Sequence, residues 1–313
     1  MKRSAFLIVV TLVVLVAVPG WGAALGTAAG SAIPSDVQQI ITVDYRLLAA
    51  SPTALALKAK VLPDNLKNLE TALRGVGVDP DDDVDSLIFA SFRTQDKGLR
   101  VIGIAQGQFN RPKFIKNMRA KKIKPVKYHT SFLYSMGSGM QVTFLDDSSM
   151  LFGEKAAVEA SLDARDGNTQ SLAANNNMSD LVNSADTGAV WSVLDATGTQ
   201  NMMRSTLGDA ARLADYDVVK KRLLGSIYTM DFSHGVKFDL SVLTSDPMTA
   251  ATMSSLLRAG MMFKKMNATG VEKMALDNVT VDNDSDHLLV HFKTDDDKFD
   301  SLLQSPLFTS IAR

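Results

Sequence analysis

The chain of 313 residues contains no cysteine. That excludes thiol catalysis, disulfide staples, lipid attachment to a cysteine and every thiolate metal site. Histidine is almost as scarce, at 4 residues, and no His-Glu-x-x-His occurs. Nucleotide fingerprints are missing as well: no Gly-x-Gly-x-x-Gly follows a strand, and no Gly-x-x-x-x-Gly-Lys-Ser/Thr is present. Gly137-Ser138-Gly139 has the wrong spacing for a nucleophile elbow and sits in a hairpin turn. No sign of charge dominates, since 33 Lys+Arg stand against 34 Asp+Glu, so bulk charge does not make the whole molecule a polyanion binder. What is there is a 46% apolar composition, ample for a folded core of about two domains or one large one.

The start of the chain reads as an address label. Lys2 and Arg3 precede an unbroken apolar run from Ala5 to Val18, and Pro19 and Gly20 break it. That is the three-part layout of a secretory signal. Gly22-Ala23-Ala24 and Gly30-Ser31-Ala32 both offer small residues at the cut, and the signal is assigned to residues 1–32. An uncleaved anchor is the rival, reaching span length only if the helix runs on through the Gly/Ala segment. Removal of Lys2 and Arg3 leaves 31 Lys+Arg against 34 Asp+Glu, a net charge of −3. An exported protein, periplasmic or extracellular and without a membrane span after cleavage, is expected.

Similar segments recur in order along the rest. Gln39–Asp44 resembles Val190–Asp195, Asp85–Phe92 resembles Gly225–Phe232, and Met150–Phe152 resembles Leu289–Phe292. A strand at 100–106 with a proline-started helix at 112–122 answers a strand at 237–243 with a helix at 247–266. The expected fold is therefore α+β: two similar halves from an internal duplication, each a mainly antiparallel sheet with helices packed on it. Residues 33–165 form the first half, 166–187 an exposed polar linker and 188–313 the second half.

One local feature stands out. From Arg111 to Lys127 there are 8 Lys/Arg in 17 residues and no acid. Phe114, Ile115 and Met118 form the inward stripe of a helix there, which leaves Arg111, Lys113, Lys116, Arg119, Lys121 and Lys122 on its outer surface. The matching helix at 247–266 carries only Arg258, Lys264 and Lys265, so the architecture does not demand a basic helix at this place. A polybasic face attracts anionic lipid headgroups or acidic polysaccharide; an envelope protein is a further candidate. The bland alternative is a solvated face balanced by the aspartates of Asp79–Asp85. Nucleic acid is not expected, because export separates the protein from it and aromatic interleaving is thin.

Other chemistry is weaker. His287 and His291 share one face of a strand, ~13 Å apart by strand rise, too far to chelate one ion. Asp81, Asp83 and Asp85, like Asp282, Asp284 and Asp286, alternate as calcium loops do, but lack the glycine and the distal acid of such loops. No cofactor or metal is expected. Methionine crowds one stretch, with Met248, Met253, Met261, Met262, Met266 and Met274; it fills core gaps or makes adaptable apolar surfaces.

Val78-Asp-Pro80 leading into Asp85–Phe92, then Gly107-Gln-Phe109, Phe144-Leu-Asp-Asp147, Phe152-Gly-Glu-Lys155 and Trp191-Ser-Val193, resembles exported bacterial proteins with a domain of unknown function. The resemblance implies export and a shared fold, with no reaction and no catalytic residue to carry over. The functional expectation is a non-catalytic binding protein that uses the basic helix. The rival is a hydrolase of an envelope or extracellular polymer, whose scattered carboxylates Asp44, Asp195 or Asp231 the fold would have to gather.

Overall fold

A computed structural model describes residues 25–94, 98–137, 139–185, 188–207 and 216–304; the charged start and apolar run of the signal lie outside the described residues. The first element is already part of the core. Small residues let α1 (Thr27–Ala32) pack closely, with Ala29, Ala32 and Ile33 fully buried. This helix lies within the residues assigned to a removable signal, 1–32, because the Gly/Ala pattern of a cleavage region is also the pattern of a tight helix contact.

Capping residues and apolar spacing set the first half. β1 (Val37–Asp44) ends at Asp44, whose carboxylate accepts from the Leu47 N–H and opens α2 (Tyr45–Ala49). Ser51 caps α3 (Pro52–Val61) by accepting from the Ala54 N–H, and Pro63 restarts the chain into α4 (Asp64–Arg74). α4 buries Leu69 and Leu73 and stops at Gly75. α5 (Pro80–Asp83) leads into the hairpin of β2 (Val84–Arg93) and β3 (Leu99–Gly107). α6 (Arg111–Ala120) and β4 (Val126–Tyr128) follow, then β5 (Ser131–Ser135) and β6 (Met140–Phe144) around a turn in which Gly137 and Gly139 take positive φ, as the sequence predicts. β7 (Ser149–Glu154) and α7 (Lys155–Arg165) close the half.

The polar segment at 166–187 is not the exposed connector its composition predicts. It turns through Leu172, which is 5% exposed, into α8 (Asn176–Ser184), and Met178 is 1% exposed in the same core as α1. Five apolar side chains, Leu172, Met178, Leu181, Val182 and Ala185, carry this packing inside a stretch whose asparagines and serines dominate any average.

β8 (Val190–Asp195) and α9 (Ala196–Leu207) begin the second half, and α10 (Tyr216–Val219) precedes the hairpin of β9 (Leu223–Asp231) and β10 (Val236–Thr244). α11 (Pro247–Asn267) and α12 (Gly270–Asp277) then lead to β11 (Val279–Asp284), β12 (His287–Thr294) and α13 (Asp296–Leu303).

Among the described residues all strands join one 12-stranded sheet, ordered β11-β12-β10-β9-β8-β1-β2-β3-β7-β6-β5-β4, and every neighbouring pair is antiparallel. The class is α+β. The two expected sheets are thus one, continuous across a β1–β8 seam that aligns Gln39 with Leu194 and Val43 with Val190. From that seam outward the order β8-β9-β10-β12-β11 mirrors β1-β2-β3-β7-β6, so the segments matched in sequence stand at matched places.

Register assigns the two faces. Leu240, Tyr228, Ser192, Ile41, Phe89 and Phe152 share one face, with Gly103 between the last two. On it α4 and α6 cover the first half, and α9 and α11 the second. The opposite face, with Ile40, Ile88, Ile104, Leu151 and Trp191, lies under α1, α7 and α8. α13 instead packs on α3 across the seam, where the Thr53 hydroxyl donates to Asp296 at 2.6 Å.

Candidate functional site

α6 starts where the Asn110 side chain accepts from the Lys113 N–H at 3.0 Å, with Pro112 in the first turn. Phe114 and Met118, both fully buried, hold it on the sheet. It ends as the Ile123 N–H reaches back to the Met118 carbonyl while Lys122 takes φ 59. That position ordinarily favours glycine, and a side chain there costs ~1–2 kcal/mol. The chain keeps a lysine at a place where glycine would be more stable.

The sequence treats the cations as one face; the structure divides them. Arg111, Lys116 and Arg119, with Pro112, Ile115 and Asp147, line an open depression of about 630 Å³. Lys113 and Lys121 lie on the other flank, over the turn at Gly77 and Gly75, where the Asn117 amide donates to the Val76 carbonyl at 2.9 Å. Lys122 sits past the helix end. Arg111 is fixed, stacked 5.3 Å from the Phe144 ring centroid and paired with Asp147 at 2.6 Å. Among the described residues, Lys113, Lys116, Arg119, Lys121, Lys122, Lys124 and Lys127 have no acidic partner.

Four of the five aspartates between Asp79 and Asp85 are engaged elsewhere. Arg74 pairs with Asp79 and with Asp81, and Arg46 pairs with Asp85. The Tyr45 hydroxyl donates to Asp81 at 2.9 Å, and Asp83 accepts from the Asp79 N–H at 2.8 Å. Hydrogen bonding to Arg74 is the main reason the Asp81 carboxyl is lowered from its ordinary range. These alternating acids therefore point at separate partners and do not converge.

The acids of the hydrolase reading are divided between two places. Asp44 and Asp195 cap α2 and α9 at opposite ends of the β1–β8 pair, where Asp195 accepts from the Gly198 N–H at 2.6 Å. Burial raises the Asp195 pKa against those backbone donors. Asp231 accepts from the Ser233 hydroxyl and N–H, which lower it. Each has a local structural partner; Asp195 stands at one end of the β1–β8 pair, and Asp44 and Asp231 stand at the other, where the Asp44 N–H donates to the Ala189 carbonyl and Val190 lies opposite Met230. His291 pairs with Asp239 at 2.6 Å and His287 with Asp286 at 2.8 Å, so the two histidines of one strand turn to different carboxylates. A second, small cavity, about 50 Å³ under α4, is lined mainly by apolar side chains, among them Leu69, Leu73, Phe89 and Phe152.

One cluster was not legible in the sequence. The hydroxyl of Tyr128 donates to Asp163 at 3.0 Å, and His129, at φ 48 in the β4–β5 turn, meets the same carboxylate at 3.0 Å. Asp163 lies 34 and 35 residues away on α7, so only the fold joins them. Desolvation first, then Asp163, pushes the Tyr128 hydroxyl up to about 12. A tyrosine this weakly acidic is a hydrogen-bond donor, unsuited to act as a base near neutrality. The folded state holds this proton more tightly than the unfolded chain. Its contribution is thus complete below the unfolded tyrosine range and is lost as pH rises from about 10 to about 12. Tyr128→Phe should remove that alkaline loss, read as a flatter stability-against-pH curve in urea unfolding.

No family model matches the chain, and no curated protein matches it. Among solved structures, one titled "Structure of crystal form I of TP0453" aligns with 90% of this chain and 98% of its own at 11% identity, with a TM-score of 0.44.

Proposed function

We propose that this is an exported, non-catalytic protein that binds anionic lipid headgroups at the cell envelope through α6. The observation that carries the reading is the set of cations from Lys113 to Lys127 that have no acidic partner among the described residues, beside a wide depression floored by Pro112 and Ile115. Unpaired surface lysines raise the local potential toward anions, and each near a charged bilayer adds attraction that salt screens. Phe132, 52% exposed at the adjoining edge of the sheet and on the face that α6 covers, favours a lipid over a glycan, since it offers apolar surface that a polysaccharide would leave wet.

Co-sedimentation with vesicles of equal parts phosphatidylcholine and phosphatidylglycerol tests this. Binding should be strong at low salt, fall steeply as salt rises, and vanish on phosphatidylcholine alone. Binding to an acidic polysaccharide such as polygalacturonate, with none to the charged vesicles, would replace lipid by glycan. Among the described residues no helix is long and apolar enough to cross a membrane, which suits contact at a surface.

Export has its own test. A cut after Ala32 would remove α1 from the core, whereas a cut after Ala24 leaves it whole. The intact mass of the exported protein should therefore correspond to a chain starting at Leu25.

A further inference from the structure

The mirrored counterpart of α6 is α11, and its exposed surface is built for a different contact. Asp246 caps the helix, accepting from the Thr249 N–H at 2.9 Å. Its first turns bury Ala250, Met253, Ser254 and Leu257 at helical spacing against β10, β11 and β12. The Arg258 guanidinium then donates to the Val281 carbonyl and pairs with Asp282 at 3.1 Å. Beyond it the helix runs on with its apolar side chains turned out: Met262, Phe263 and Met266 are 70%, 66% and 75% exposed. Met262 and Met266 are four apart and Phe263 lies beside them, so the three form one stripe. α12, which packs against this end, contains no buried residue, and Val271, Met274 and Leu276 are only half-buried. Single exposed apolar residues are ordinary; a contiguous cluster on one projecting helix end is a contact surface.

Charge selects the occupant. α11 contains no acid. Lys264 is exposed without an acidic partner among the described residues, and Lys265 pairs with Asp277 at 2.8 Å. Glu272 is engaged in the capping box of α12 with Thr269. Lys264, two residues from both Met262 and Met266, projects from the other side of the helix, so this end of α11 has one apolar side and one cationic side. A bilayer meets both halves of the pattern. Met and Phe enter the boundary between headgroups and acyl chains, and a lysine on the opposite side of the same helix stays at the level of the phosphates.

We infer that the end of α11, with α12, is a second membrane contact of this protein, in which Met262, Phe263 and Met266 insert into an anionic bilayer and Lys264 lies at headgroup level. This rests on the lipid reading of α6 and adds to it an apolar anchor at the other end of the sheet. The two contributions differ in salt response: attraction through α6 is screened at high salt, where the Debye length falls to ~3 Å at about 1 M, and apolar insertion is not.

The test is the combined substitution Met262→Glu, Phe263→Glu and Met266→Glu, all at exposed positions, with circular dichroism and urea unfolding to verify the fold. On the equal-parts phosphatidylcholine and phosphatidylglycerol vesicles, its partitioning should drop at least tenfold, and binding at about 1 M salt should disappear. In a separate Phe263→Trp protein, tryptophan emission should shift to the blue on adding vesicles and be quenched by lipids brominated on the acyl chain. Unchanged partitioning of the triple variant at both salts would overturn the inference, and so would an unshifted emission. If α6 charge removal still abolished low-salt binding in that case, the lipid reading of α6 would stand alone. A dimer that the triple substitution converts to monomer, with vesicle binding unchanged, would also overturn the inference and assign the stripe to self-association.

Discussion

Replacing Lys116, Arg119, Lys121 and Lys122 together with glutamine should weaken binding to phosphatidylglycerol vesicles by about two to three orders of magnitude at low salt. The magnitude follows from roughly fivefold per cation near an anionic surface, compounded over four positions and reduced when they do not all reach the headgroups at once. Two of these residues, Lys116 and Arg119, are exposed on successive turns of α6 and line the depression, whereas Lys121 lies over Gly75 and Lys122 beyond the helix end. None of them makes an ion pair among the described residues, so their removal leaves no acid stranded and the fold should be unaffected. Lys122→Gly separates function from stability more sharply. At φ 59 glycine relieves a left-handed lysine and should raise stability by about 1 kcal/mol, while binding falls severalfold. A Lys122→Gly protein that is more stable and binds undiminished would show that this lysine serves neither role. Full-strength binding by the fourfold variant would remove α6 from the function altogether.

Phe114→Ala should lower the free energy of unfolding by about 3–5 kcal/mol, the range for emptying a large buried aromatic site. Phe114 is fully buried and lies edge-on to Tyr134 and to Phe144, with ring centroids 5.3 and 5.2 Å away. These rings come from different strands, β5 and β6, which cannot close on the space without moving the sheet, so the cavity remains. The loss should appear in urea as a lower midpoint at unchanged slope. Phe144 is also the ring on which Arg111 stacks, so the substitution loosens the helix that carries the cations, and vesicle binding should fall with it. Phe132→Ala, at a residue 52% exposed, is the contrast: a stability change of about 0.5 kcal/mol or less is expected. Equal losses for the two would mean that the cluster around Phe114 is not the core beneath α6.

The elements that repeat a period were legible in the sequence, and the relations between them were not. Phe114 and Met118 mark α6, Ser51-Pro52 opens α3, and Gly137 and Gly139 turn the β5–β6 hairpin, all from local spacing and backbone preference. α1 was hidden because Ala29, Gly30 and Ala32 serve a signal's end and a close helix contact equally well. α8 was hidden because Met178 and Leu181 are few among asparagines and serines, yet position, not average polarity, decides burial. The cations of α6 could be found by counting; that Asp79, Asp81 and Asp85 would be held by Arg74 and Arg46 could not, since side-chain pairing depends on where α4 and α2 come to lie. Likewise the meeting of Tyr128 and His129 with Asp163 joins residues that no local pattern links. The exposure of Met262 and Met266, against the burial of Met253 on the same helix, follows from their spacing, nine and thirteen residues on, which puts them on the opposite side of α11; which side meets the sheet is set by the fold.

The β1–β8 seam has a consequence for how the chain assembles. β1 has β2 along one edge, but the ladder from Gln39 to Val43 on its other edge is completed only by Val190–Leu194, after the whole first half and α8 have been laid down. Until then its N–H and C=O groups form a bare template, and a second β1, equally antiparallel, could take the place that β8 holds in the finished sheet. Joining the seam within one chain is independent of concentration; pairing between unfinished chains is not. The order of strands along the sequence therefore makes dilution, and the tether through α8, the protection of this fold against its own half-built copies.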